Sequence, residues 1–211
     1  MARRLTPRGL ERRRQLMRYA TERFAAQGYH TTSVAEIVDG IGVGKGVFYW
    51  YFESKDALLT AILQEAQRDL RRAQQDAIEG VQDPVRRIEL GIRASVRWYA
   101  ANRAVDQVSS FARSEARFAD VLRQGTEVAV SDTMRHLREA VAREAVRDGD
   151  LELQANAILG VTRHLARRFL READRPIDAV ADEAVAFCLG GLNGPLARVV
   201  GTPEADRGTV A

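Results

Sequence analysis

The sequence predicts an all-α protein, a small N-terminal three-helix head followed by a larger helical body, about nine helices in all. Three observations carry this. Apolar residues recur three and four apart through most of the chain, the spacing of one helix face, and no stretch alternates as a half-buried strand does. Helix-start residues precede the apolar runs, as at Ser33, Ser54 and Asp83-Pro84. Helix-stop residues follow them, as at Gly28 and Asp148-Gly149-Asp150.

Residues 1–9 are expected to form a flexible arm. A first helix is expected over about 8–27, with Leu16, Met17, Ala20 and Phe24 on its apolar side. Gly28 is its left-handed cap, and Tyr29 closes the motif. Ser33 and Glu36 form a capping box that starts a second helix over about 34–40. Gly40, Gly42 and Gly44 place three glycines in five positions, which allows a tight turn with positive φ. A third helix over about 45–51 sets Phe48 and Phe52 four apart on one face. Ser54 caps a fourth, which carries Leu58, Leu59, Ile62 and Leu63 and reads as wholly polar beyond Glu65, a connector to the body.

Asp83-Pro84 starts a fifth helix, buried along Val85, Ile88, Ile92, Val96 and Tyr99. A short helix over about 105–112 and a long one over about 115–147 follow, the latter with Val121, Leu122, Val128, Leu137 and Val141 inside. An eighth helix is expected over about 152–173, and Pro176 separates it from a ninth over about 178–193. From Pro195 onward the chain is polar and rich in glycine and proline. The expected division is therefore an arm and head over 1–60, a body over 61–195 and a disordered tail over 196–211.

Composition narrows the functional classes. The chain has 211 residues, enough for a sizeable core, and the ordinary composition of a soluble globular protein. No apolar run approaches bilayer length and no signal peptide is evident, so the cytoplasm is the expected location and no membrane partner is expected. The single cysteine, Cys188, makes no internal disulfide; it reads as buried core or as a redox sensor. Residues 1–60 hold 10 Lys and Arg against 6 Asp and Glu, whereas the rest hold 22 against 23. A local positive excess attracts phosphate and makes binding salt-dependent. Among the first 18 residues, Arg3, Arg4, Arg8, Arg12, Arg13, Arg14 and Arg18 oppose only Glu11. They suit an arm reaching phosphate or the minor groove, or equally a solvated tail and an exposed basic helix face.

Helix, glycine turn, short helix over residues 33–55 is the layout of a helix-turn-helix, whose second helix can enter a DNA major groove. The run Thr32-Ser33-Val34-Ala35-Glu36-Ile37, then Gly42-Val43, then Lys45-Gly46-Val47-Phe48-Tyr49-Trp50-Tyr51-Phe52, then Ser54-Lys55-Asp56-Ala57-Leu58, resembles the TetR family of bacterial transcriptional regulators. The resemblance covers about residues 8–65. It implies that Phe48 and Phe52 anchor the recognition helix from inside. Lys45, Gly46 and Val47 would open that helix toward base edges. Tyr49 and Tyr51 would reach phosphate or bases, or pack inside the head. Thr32 or Ser33 would meet phosphate from helix two, and Lys55 from helix four. Trp50, bulky for its place, would pack on the sugar-phosphate backbone or shield the turn. Gly44 departs from the Ser or Thr usual in the family, which removes a side-chain cap worth a few tenths of a kcal/mol.

For the body the resemblance implies a ligand cavity among helices four to eight and dimerisation through helices eight and nine. Trp98, Tyr99, Phe111, Phe118, Met134 and Phe169 are candidates to line the cavity, or else plain core. His164, beside Arg163, Arg167 and Arg168, suits an acidic effector or a solvated face. Gly91, Gly125 and Gly160 make room for a ligand or for helix crossings. Ala186, Gly190 and Gly194, four apart, suit a dimer seam or an intrachain crossing.

No phosphate loop, HExxH, Cys/His metal spacing or nucleophile elbow occurs, so neither enzymatic activity nor a cofactor is expected. His30, His136 and His164 are scattered, and Glu115 and Glu127 are isolated among arginines. The expected function is a homodimeric repressor on a palindromic DNA operator in the nucleoid, released by a small-molecule effector. An activator or a ligand-independent repressor is the alternative, with an enzyme or interaction module carrying such a head further off.

Overall fold

The computed structural model describes residues 5–173 and 175–193, and these are all-helical. The head holds α1 (Pro7–Gln27), α2 (Val34–Gly40) and α3 (Lys45–Tyr51). Helix α4 (Lys55–Ile78) runs from the head into the body. The body adds α5 (Pro84–Ala101), α6 (Arg103–Ala112), α7 (Ala119–Ala142), α8 (Leu151–Leu165) and α9 (Ile177–Asn193). The expected tail, Gly194 and the first four residues of the expected arm lie outside the described residues.

The caps read from the sequence are made. Ser54 Oγ accepts from the Ala57 N–H at 3.0 Å, and Asp83 Oδ1 from the Val85 N–H at 3.0 Å. The first helix takes in Pro7, Arg8 and Gly9, the last three residues of the expected arm. Thr6 Oγ1 accepts from the Gly9 N–H at 3.2 Å, and Pro7 occupies the first turn, where a missing N–H costs nothing.

Three expectations need correction. The long helix is not continuous over 115–147: a 3₁₀ turn, Ala116–Phe118, precedes α7, which ends at Ala142. Glu144 takes the left-handed conformation (φ 55°), and the Ala145 N–H bonds the Ala140 carbonyl at 2.9 Å, which closes the helix end. Val146 still packs into the core from the irregular segment, which explains why the apolar pattern overran the helix. The eighth helix changes winding at Ala166, where a π-helical segment, Ala166–Glu172, continues it. Finally, α4 is not wholly polar beyond Glu65: Ala66, Leu70 and Ile78 line an internal cavity at a spacing of four or eight.

The buried residues form two clusters. One holds Leu16, Phe24, Ile37, Phe48, Phe52, Leu58, Leu59 and Leu63 of the head and of the first turns of α4. It continues into Val108 and Ala112 of α6 and Phe118 ahead of α7, so the head is seated on the body. The second cluster joins Ile88, Ile92 and Val96 of α5 to Leu137 of α7, Ile158 of α8 and Val180, Ala184 and Cys188 of α9. Cys188 is buried there, and burial pushes its thiol up to about 11, as expected for core rather than a reactive thiol.

Candidate nucleic-acid interface

The head's geometry follows from a few local contacts. Ser33 and Glu36 make the full capping box: the Ser33 N–H donates to Glu36 Oε2 at 2.6 Å, and the Glu36 N–H to Ser33 Oγ at 3.2 Å. The bond from the Ser33 backbone N–H, and then the Ser33 side chain, hold the Glu36 carboxyl below its ordinary value. At Gly40 a Cβ would stand 2.0 Å from the Tyr19 ring, so glycine lets α1 approach the end of α2. Gly42 takes φ 67° in the turn, and the Val43 N–H bonds the Val38 carbonyl at 2.9 Å. Gly44 caps α3 through its backbone only.

Helix α3 buries one side and leaves the other bare. Phe48 and Phe52 face inward. Lys45, Gly46, Val47, Tyr49 and Trp50 are exposed, with Tyr49 at 56% and Trp50 at 52%. Large aromatic surface left in water on a helix whose other face is fully buried marks an unpartnered face. Tyr51 is half-buried; its ring meets the Trp50 ring edge-on at 4.5 Å.

Two residues assigned to phosphate are placed otherwise. Thr32 is buried, and its hydroxyl donates to the Gly28 carbonyl at 2.9 Å, so it faces the interior; Ser33 remains exposed. Lys55 Nζ donates to the Tyr29 and Thr32 carbonyls at 2.8 Å each and lies 4.4 Å from the Tyr29 ring centroid. It therefore clamps the α1–α2 loop onto α4.

Tyr29, read from sequence only as a cap contact, is the centre of the seam between head and body. Its ring stacks on Phe111 at 5.1 Å and meets Phe118 edge-on at 6.1 Å. Its hydroxyl donates to Asp56, and burial, then that carboxylate, raises its pKa beyond the usual phenol range. Gln107 Nε2 donates to the Ala25 carbonyl at 2.7 Å, Arg117 approaches Asp56 at 3.5 Å, and His30 approaches Glu115 at 3.6 Å.

A cavity of about 630 Å³ lies between α4, α5, α7 and α8, with α6 at one end. That volume is in the range of small-molecule sites. Of the sequence candidates, Trp98 and Tyr99 line it. Phe111 and Phe118 belong to the head–body seam instead. Met134 and Phe169 pack against the body core, and His164 is exposed outside the cavity. The sequence missed most of the polar lining, including Gln67, Gln74, Ser95, Asp106 and Thr162. One signal was present: Asp106, Ser109 and Arg113, spaced by three and four, put a polar stripe along α6 and its C-cap.

The three glycines separate: Gly160 has open space around a Cβ but does not line the cavity. Gly91 faces the cavity with nothing within 4 Å of a Cβ, whereas a Cβ at Gly125 would stand 2.2 Å from the Gln67 carboxamide. Gly125 also lines the cavity, but there it makes room for the Gln67 carboxamide where α4 crosses α7. Outside the cavity lining, Leu153 of α8 and Phe187 of α9 are each 68% exposed, with Ala186 and Gly190 exposed nearby in sequence. Among the described residues, no three His, Cys, Asp or Glu side chains gather as a metal site, and no helix is long and apolar enough to cross a membrane.

Comparison with known proteins agrees with this architecture. Residues 16–62 match the family model of bacterial regulatory proteins, tetR family. The chain is 30% identical over 197 residues to the HTH-type transcriptional activator FasR of Mycolicibacterium smegmatis, covering 87% of this chain and 84% of that protein. It is 26% identical over 201 residues to the HTH-type transcriptional repressor KstR2 of Rhodococcus jostii, covering 87% and 92%. Among solved structures, a putative TetR-family transcriptional regulator from Syntrophomonas wolfei superposes with a TM-score of 0.78 at 19% identity, covering 90% of this chain and 98% of that one. With its glycine-turned helix pair, all-helical body and full-length relatives, the chain belongs to the TetR family of bacterial transcriptional regulators.

Proposed function

We propose that the protein is a homodimeric repressor that binds a palindromic operator through α3 and releases it when a small molecule fills the body cavity. One observation carries the reading: α4 is shared. Its first turns, Leu58 to Leu63, are buried in the head cluster, and from Leu63 onward it lines the cavity. Occupancy of the cavity therefore acts on the helix that carries the head. The exposed side of α3 supplies the DNA face, with Lys45, Gly46 and Val47 toward base edges and Tyr49, Trp50 and Tyr51 toward bases or backbone. Ser33 contacts phosphate from α2. Leu153 and Phe187, large apolar side chains that water otherwise surrounds, form the dimer seam with the small exposed residues Ala186 and Gly190. A symmetric pair meets half-sites about 34 Å apart. The effector shifts the equilibrium only by its differential affinity for the two states. The residue division follows the same logic, a head over 1–60 and an effector and dimerisation body over 61–195.

The test is to select a bound sequence from genomic fragments and titrate it by fluorescence anisotropy. Wild-type protein should bind as two chains per palindrome. Phe187→Glu should give monomers that lose operator affinity, and Tyr49→Ala should lose affinity while remaining a folded dimer. A monomeric wild type, or equal affinity for random duplex, would overturn the reading. The 30% identical FasR relative is named an activator, so the opposite sign of regulation is the second reading. A promoter fusion with and without the protein separates the two.

A further inference from the structure

The cavity's charges are not evenly balanced. Seven arginines line it. Arg71 pairs with Asp132 at 2.6 Å, Arg87 with Glu139 at 2.7 Å, Arg123 with Glu127 at 2.7 Å and Arg68 with Glu65 at 2.7 Å. Arg135 reaches Asp132 at 3.6 Å. The exceptions sit together at the α6–α8 end. Arg113 has only Asp106 at 3.8 Å, and among the described residues no carboxylate pairs with Arg163.

Further observations mark that end as a site. Thr162 lines the same wall, is buried, and its Oγ1 has no hydrogen-bond partner. Buried hydroxyls are almost always satisfied, so this one awaits a partner. Tyr99, also in the lining, carries a neutral phenol whose pKa burial raises further, so its hydroxyl can donate. Burial and then the Arg163 charge lower the Arg113 pKa; two like charges near each other in a half-buried place disfavour one another. An anion seated there relieves both penalties. The rest of the lining is largely apolar, including Leu70, Ile78, Ile88, Ile92, Trp98 and Leu159.

We propose that the effector is an amphipathic anion whose carboxylate or phosphate head seats at Arg113 and Arg163, with Thr162 and Tyr99 donating to it, and whose apolar body fills the cavity toward α4 and α7. The proposal rests on the reading of this cavity as the effector site. The two can fail separately. Nile red, a neutral apolar dye, reports the cavity itself; Gly91→Trp, which adds a large side chain into open space on the cavity wall, should exclude it.

The dye is then displaced by probes of equal chain length: decanoate, decyl phosphate, decanol and decyltrimethylammonium. An anionic probe should compete at least about tenfold more tightly than decanol, the scale of one charge-assisted hydrogen bond, and the ammonium should be weakest. Whichever of decanoate and decyl phosphate competes better identifies the head group. Arg163→Gln, an exposed position that the fold tolerates, should weaken the anions about tenfold and leave decanol unchanged. Dye uptake blocked by Gly91→Trp, with all four probes equal or none competing, would overturn the anion and leave the cavity. Dye uptake unchanged in Gly91→Trp would overturn both.

Discussion

Lys55 is the head cation whose role the structure changes most, and replacing it with Met tests that role. The substitution keeps the aliphatic stem and removes the ammonium. Two hydrogen bonds of 2.8 Å to the Tyr29 and Thr32 carbonyls are lost, together with the contact 4.4 Å from the Tyr29 ring centroid. A hydrogen bond from a charged group contributes about 1.5–3 kcal/mol, and a partly exposed cation–π contact about 0.5–1 kcal/mol. Burial lowers the Lys55 pKa, so part of that gain offsets the cost of holding the charge out of water. The expected net loss is about 2 kcal/mol, which in a chain of this size lowers the melting temperature by about 4–8 °C. Lys45, exposed at the first turn of α3, should behave in the opposite way. Lys45→Ala should leave melting unchanged and, as the loss of a base-edge contact, weaken operator binding by about 1–3 kcal/mol per protomer with little change in the slope of log affinity on log salt. Calorimetric melting and anisotropy across a salt series read both quantities. Should Lys55→Met melt like the wild type and lose salt slope instead, the clamp is wrong and Lys55 is a phosphate contact.

Two further outcomes follow from the body. Burial, then Arg135 and Arg87, lowers the His136 pKa from 6.5, and its Nδ1 has no partner. Between the folded and unfolded values the unfolded chain binds the extra proton, so stability falls as pH drops below about 6.5 and the loss is complete below the folded value. Melting between pH 8 and 5 should show a fall that His136→Gln reduces; superimposable profiles would acquit the imidazole. Alanine at a helix-interior glycine gains about 1 kcal/mol of propensity. Gly91→Ala, in open space, should therefore stabilise by about 0.5–1 kcal/mol. Gly125→Ala displaces Gln67, whose Nε2 donates to the Val121 carbonyl at 3.0 Å, and should destabilise by about 1–2 kcal/mol, partly restored by adding Gln67→Ala. Urea melts of the three variants measure this, and a stabilised Gly125→Ala would contradict the crossing.

The head was legible because its signals are local. A capping box, a glycine turn and an i, i+4 phenylalanine pair act over a few residues, and α2 and α3 begin and end at the expected positions. What sequence spacing does not carry is direction between elements. The family resemblance assigned phosphate to Thr32 or Ser33, yet a hydrogen bond to Gly28 turns the Thr32 hydroxyl inward. Tyr29 looked like a cap contact because Phe111 lies far along the chain. The cavity lining was missed for a related reason. Aromatics at helical spacing draw the eye, but core packing claims Phe111 and Phe118, while the cavity takes glutamines and serines that sequence alone reads as solvated.

How a ligand would reach the head can be argued from where the chain yields. Leu63 is both buried in the head cluster and part of the cavity wall, so α4 cannot shift at the cavity without moving what the head packs on. Burying Leu58, Leu59, Ile62 and Leu63 stabilises the head by about 1.5–3 kcal/mol each, more in sum than a typical coupling energy of about 1–3 kcal/mol. The head core therefore does not give way. The seam is smaller: it buries Val108, Ala112 and Phe118 against the head, and its remaining links, Gln107 to Ala25, His30 to Glu115 and Arg117 to Asp56, are exposed and polar, each worth about 1 kcal/mol or less. The stacked Tyr29 and Phe111 rings can slide without leaving contact. A displacement of α4 should thus turn the head as a rigid unit and break the polar seam, leaving the geometry of α2, the glycine turn and α3 intact.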